Sequence, residues 1–109
     1  VITISETQRA VHATAKEKGW WDKPRTTGEA FCLMHSEISE ALEELRAGRG
    51  LAEVYFVDGK PEGIPVELAD VVIRVMDFCE HEGIDLATVI MLKHQYNTTR
   101  PYRHGGKKL

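Results

Sequence analysis

Apolar positions recur along this chain at helical spacing, and glycine or proline interrupts the rhythm at intervals. The pattern predicts a first helix from about Ser5 to Lys18, opened by a capping box of Ser5 and Gln8 and stopped by Gly19. A second runs from about Thr27 to Ala47, with Thr26 and Glu29 as its box and Gly48 as its stop. The third begins near Pro65, a residue suited to a first helical position, and ends at Gly83. The fourth opens on Asp85 as N-cap and continues to about Asn97, with Pro101 beyond it. Between the second and third, Glu53-Val54-Tyr55-Phe56-Val57 reads as a short strand and Asp58-Gly59 as a tight turn. The expected fold class is all-α: a four-helix bundle with a minimal hairpin or loop inserted between helices 2 and 3.

Drawn as a wheel at about 100° per residue, the second helix puts Phe31, Met34, Ile38, Leu42 and Leu45 on one side. That stripe is the expected core. Glu37, Glu40 and Glu44 cluster elsewhere, among Ala30, Leu33 and Ala41, so the acidic face is not purely solvated. The third helix is apolar nearly all round, which predicts burial nearly all round. Its one polar seam is Glu67, Asp70, Arg74 and Asp77. Carboxylates in such a helix are costly unless paired or bound to a cation, and Arg74 can offset only one of them.

The composition leaves this picture standing. With 109 residues, 42% hydrophobic and 28% charged, the chain reads as one globular domain rather than a disordered one. The net charge of −3 argues against a nucleic-acid partner, and no stretch suits a membrane span or a secretory signal. A cytoplasmic protein is expected. Cys32 and Cys79 form no C-x-x-C unit and read as small core residues without a disulfide. Charge is unevenly placed: acids crowd between Glu37 and Asp85, whereas Lys93 to Leu109 holds none and ends in a basic tail from about residue 98.

Glu37-x-x-Glu40 and Glu67-x-x-Asp70 each set two carboxylates one turn apart on one helix face. If the two helices run antiparallel, all four converge on a small volume. Oxygen donors without His or Cys suit a hard cation, Mg²⁺ with Mn²⁺ as a substitute, and Mg²⁺ commonly shares its shell with phosphates. Taken singly, the first pair also reads as a solvated face and the second as a seam closed by Arg74.

In these residues the chain resembles the MazG-type all-α nucleoside triphosphate pyrophosphohydrolases. The resemblance lies in Glu37-x-x-Glu40 followed by Glu67-Leu68-Ala69-Asp70, and in the flanking runs His35 to Ala41 and Lys60 to Glu67. The tail, Lys93-x-x-x-Asn97-x-x-Arg100-Pro101-Tyr102-x-His104-Gly105-Gly106-Lys107, is similar to the end of compact single-domain members, including phage-encoded ones. The likeness covers nearly the whole chain from about Gln8. It implies Mg²⁺-dependent hydrolysis of a (deoxy)nucleoside triphosphate between the α and β phosphates, giving monophosphate and pyrophosphate. By the same likeness Glu37, Glu40, Glu67 and Asp70 are the metal ligands and catalytic residues. Glu40 is a candidate to take the proton of the attacking water, and Glu44 is either an outer partner or simply exposed. Related specificities, for dUTP or for phosphoribosyl-ATP, share this chemistry.

Lys93, Asn97 and Arg100 fall on one side of the fourth helix and its exit, where they suit phosphate oxygens and ribose. On spacing alone they equally suit a basic helix C-terminus, and the resemblance selects the first reading. Lys107, after two glycines, is a candidate to close over phosphates. Trp20 and Trp21 cannot both face one core from an extended segment, so one is a candidate to stack on a base, or the two together cap the core. His35 and His94 read as surface or packing residues. The apolar third helix leaves more sticky surface than one small bundle covers, which predicts a homodimer or a dimer of dimers. The competing function is a non-catalytic helical interaction module whose acids form salt-bridge networks. A di-iron bundle is disfavoured, since no Glu-x-x-His pairing is present.

Overall fold

The computed structural model describes residues 2–109. Five helices and one hairpin follow in the order α1 (Ile4–Glu17), α2 (Thr27–Arg46), β1 (Tyr55–Val57), β2 (Lys60–Glu62), α3 (Ile64–His81), α4 (Leu86–Thr98) and α5 (Arg103–Gly106). The all-α reading holds. Among the described residues no helix is long and apolar enough to cross a membrane.

The caps explain most boundaries. Thr26 and Asp85 accept from Glu29 N–H and Thr88 N–H as N-caps, but the Glu29 side chain does not reach back to complete the expected box at Thr26. The box at the first helix lies two residues earlier than expected, on Thr3 and Glu6, because Thr3 bonds the backbone of Glu6 while Glu6 reaches back. In the hairpin, Val57 pairs with Lys60 across Asp58 and Gly59, which both have positive φ (51° and 80°), the geometry of a two-residue primed turn. Gly63 then enters α3 at φ 124°, where a Cβ would run into the Glu53 carbonyl oxygen. Only glycine can make that close approach between hairpin and helix.

α3 is the central element, with α1 on one side and α2 on the other. Both neighbours run antiparallel to it. Gln8 reaches Glu80 and Ile84 while His12 reaches Asp77; likewise Phe31 meets Phe78 while Glu37 meets Arg74. Burial, however, differs from the expectation. The stripe of Phe31, Ile38, Leu42 and Leu45 is exposed, Leu42 at 54%, whereas Ala30 and Ala41 on the acidic side are buried. Alanines let α2 approach α3 closely on that side, and the bulky stripe is left outside. α3 is turned the same way: Leu68, Val72 and Ile73 are exposed, and the seam of Glu67, Asp70, Arg74 and Asp77 is only half-exposed or less. Cys79 is buried as expected, but Cys32 is exposed; both thiols are free.

A single chain does not close a four-helix bundle. α4 touches chiefly α1, and none of its residues is buried. Val89, Ile90, Met91, Leu92 and Tyr96 all face solvent on this helix. Beyond it, Arg103 to Gly106 form a turn with positive φ throughout, tied by Arg103 to the carbonyls of Lys107 and Lys108.

Candidate metal centre and its cavity

The antiparallel register of α2 and α3 brings Glu37, Glu67 and Asp70 together, with one carboxylate oxygen from each lying within 4.8 Å of the others. A second group, Glu44, Glu62 and Glu67, meets the same limit and shares Glu67 with the first. Three of the four expected ligands therefore converge. Glu40 does not join them: it lies on the exposed side of α2, although its charge is felt at Glu67. Glu44 is no bystander, since the Tyr55 hydroxyl donates to its carboxylate at 2.9 Å and Arg49 stacks on the Tyr55 ring at 3.8 Å. Glu62, which the sequence pattern did not single out, enters from β2 beside Lys60 (3.1 Å).

So many half-buried acids disturb one another. Glu67 is pushed up to about 7, by burial first, then by its contact with the Glu37 carboxyl and by the charges of Asp70, Glu37 and Glu40. Asp70 is also raised, chiefly by burial and then by the Glu37 charge, with Arg74 and Lys60 acting the other way. Arg74 donates from Nε to Glu37 Oε1 at 2.8 Å and offsets one carboxylate of the group. The remaining excess of negative charge, carried only by oxygen donors, fits a hard divalent cation held by Glu37, Glu67 and Asp70.

Beside these acids opens a cavity of about 260 Å³, lined by Trp20, Arg25, Glu37, Asp70, Arg74 and Asp77 with Val11, Ala15 and Ile73. Of the two tryptophans, only Trp20 lines it. Trp20 is 64% exposed and free at the rim, whereas Trp21 is engaged: its Nε1–H donates to Asp77 Oδ1 at 2.9 Å and its ring stacks on His81 at 3.8 Å. His12 Nδ1 lies 2.6 Å from the same Asp77 oxygen. Sequence reasoning missed the buried pair Gln8 and His12, whose spacing of four put both on one face of α1.

The cationic candidates lie elsewhere. Lys93 and Arg100 flank Tyr96 at 5.1 and 5.4 Å from its ring centre, and neither they, Asn97 nor Lys107 lines the cavity. Within one chain α4 meets α1, so these side chains are not brought to the acids of their own chain. Arg25 and Arg74 occupy that place instead.

No family model matches the chain, and comparison with the curated proteins and with the solved structures finds no match either.

Proposed function

We propose that the chain is a Mg²⁺-dependent nucleoside triphosphate pyrophosphohydrolase of the MazG-like all-α kind, acting as a homodimer or a dimer of dimers. The observation that carries this reading is the convergence of Glu37, Glu67 and Asp70 at the edge of a cavity that also presents two arginines and a free tryptophan face. Anion-binding and cation-binding groups side by side, next to an aromatic ring, suit a ligand with a polyphosphate and a base.

Glu37, Glu67 and Asp70 would hold the ion. When bound, Mg²⁺ neutralises phosphate charge and lowers the pKa of a coordinated water. Water oxygen attacks the α phosphorus, that bond forms, and the bond from the α phosphorus to the bridging oxygen breaks, releasing pyrophosphate and a monophosphate. Glu40, which stays outside the ligand cluster, would be the group that accepts the water's proton. Trp20 offers a face for the base. Lys93, Asn97 and Arg100, with Lys107 in the tail, would reach such a site from a second chain, since α4 packs chiefly on the α1 of its own.

The test is pyrophosphate release across the common ribo- and deoxyribonucleoside triphosphates plus dUTP, with Mg²⁺, with EDTA, and with Glu40→Gln. Mg²⁺-dependent pyrophosphate, lost in EDTA and reduced by roughly a hundredfold in the variant, is the expected result. A folded protein that releases no pyrophosphate from any of them contradicts the reading and favours the interaction module.

A further inference from the structure

Two guanidinium groups, Arg25 and Arg74, line the cavity beside the carboxylates. Their situations differ. Arg74 is held by Glu37, at 2.8 Å from Nε to Oε1, and Glu37 belongs both to the cavity wall and to the cluster of three acids. Arg25 is half-buried and rests over the Trp21 ring at 5.4 Å. Among the described residues it has no ion-pair partner. Trp21 beneath it is fixed by Asp77 and His81, so Arg25 stands on a firm platform.

We propose that Arg25 and Arg74 are the anion ligands of the cavity, gripping the phosphate chain from the same protomer that supplies the acids, and that Glu37 keeps Arg74 occupied until a cation takes its place. This inference rests on the cation reading of the acid cluster. The Glu37 carboxylate cannot serve a cation between Glu37, Glu67 and Asp70 and also hold Arg74 at full strength. With the cluster empty, three wall carboxylates (Glu37, Asp70 and Asp77) face two arginines, and an incoming anion is repelled. With Glu37 and Asp70 neutralised, the balance reverses and the Arg74 fork is free to take two phosphate oxygens. Arg74 is therefore an internal competitor of the cation and a partner of the phosphate. Cation and phosphate bind cooperatively through it, and linkage makes the effect reciprocal.

Calorimetry on the full chain tests this in two arms, with circular dichroism to confirm folding. In the first, Mg²⁺ alone is titrated into wild type, Arg74→Met and Arg25→Met. Arg74→Met should bind Mg²⁺ more tightly, by roughly threefold or more, because the competing charge is gone, while Arg25→Met should match wild type. In the second, an α,β-methylene nucleoside triphosphate is titrated in saturating Mg²⁺. Both Met variants should bind it about tenfold more weakly or worse, and Arg74→Lys, with charge but no fork, should fall between. General damage to the fold would weaken both ligands together, so opposite shifts in Arg74→Met are diagnostic. Unchanged analogue affinity in both Met variants, with Mg²⁺ binding intact, overturns the role of the arginines. Failure of the wild type to bind Mg²⁺ would instead remove the cation site itself, and the arginine proposal with it.

Discussion

Glu67 sits where burial and the carboxyls of Glu37, Asp70 and Glu40 act on it together, and its proton affinity rises to about 7 in the folded chain. The sign of the consequence is fixed by linkage. An unfolded glutamate releases its proton near 4.5, so between that pH and about 7 the folded state holds more protons than the unfolded one. The stability contributed by this group is thus fully present at the lower pH and is lost as pH rises through 7. Asp70, raised for similar reasons, adds in the same direction. Metal-free protein should therefore melt at a lower temperature at about pH 8 than at about pH 5.5, and Mg²⁺ should reverse most of that loss. Thermal unfolding followed by circular dichroism checks this; a melting temperature that climbs across the same range without metal would contradict the crowding of charge. Glu37, Glu67 and Asp70 were legible in the sequence because carboxylates one turn apart share a helix face, but that spacing did not show that Glu40 stays outside the cluster. His12, Asp77 and Trp21 were not read as a group, because their meeting depends on the register of α1 against α3, which no local pattern encodes.

At the scale of elements, helix positions were legible to within a few residues, as caps and stops are local chemistry. The two-residue turn at Asp58-Gly59 was legible for the same reason, whereas the choice between a hairpin and a loop stayed open because Lys60-Pro61-Glu62 carries no strand pattern. What the pattern misjudged was direction. An apolar stripe on α2 and an apolar surface on α3 ordinarily face each other, yet here the two helices meet through Ala30, Glu37, Ala41, Glu44 and the seam of α3. The physical reason is that α2 and α3 each carry two usable faces. Small residues beside the acids permit close approach on one, and the bulky face is left exposed. Wheel analysis finds the faces but cannot rank them. The edge-to-face contact of Phe31 with Phe78, at 5.2 Å, is the one aromatic bridge between these helices. It contributes about 1 kcal/mol beyond burial, too little to define the packing alone.

The whole molecule is open for its size. It exposes 8266 Å², against about 6,100 Å² for a compact monomer of this mass. Its radius of gyration is 16.5 Å, where about 13 Å is usual. The surplus area of roughly 2,000 Å² is on the scale that one partner contributes to an obligate interface. It includes apolar side chains from Ile38 and Leu42 on α2 to Leu92 on α4, the surface that the proposed dimer would cover. Light scattering at micromolar concentration should give a dimer or larger, and Leu42→Glu should weaken association by about 2–4 kcal/mol. A stable monomer would show that these faces stay bare. Inward carboxylates and outward apolar faces are two sides of one arrangement, with the proposed cation site on its inner side. Electron paramagnetic resonance of Mn²⁺ titrated into the protein reads that site without relying on turnover. Saturable binding of Mn²⁺ by each chain is expected, displaced by excess Mg²⁺ and weakened at least about tenfold in Glu67→Gln and in Asp70→Asn. A free-ion signal undiminished by wild-type protein would contradict it.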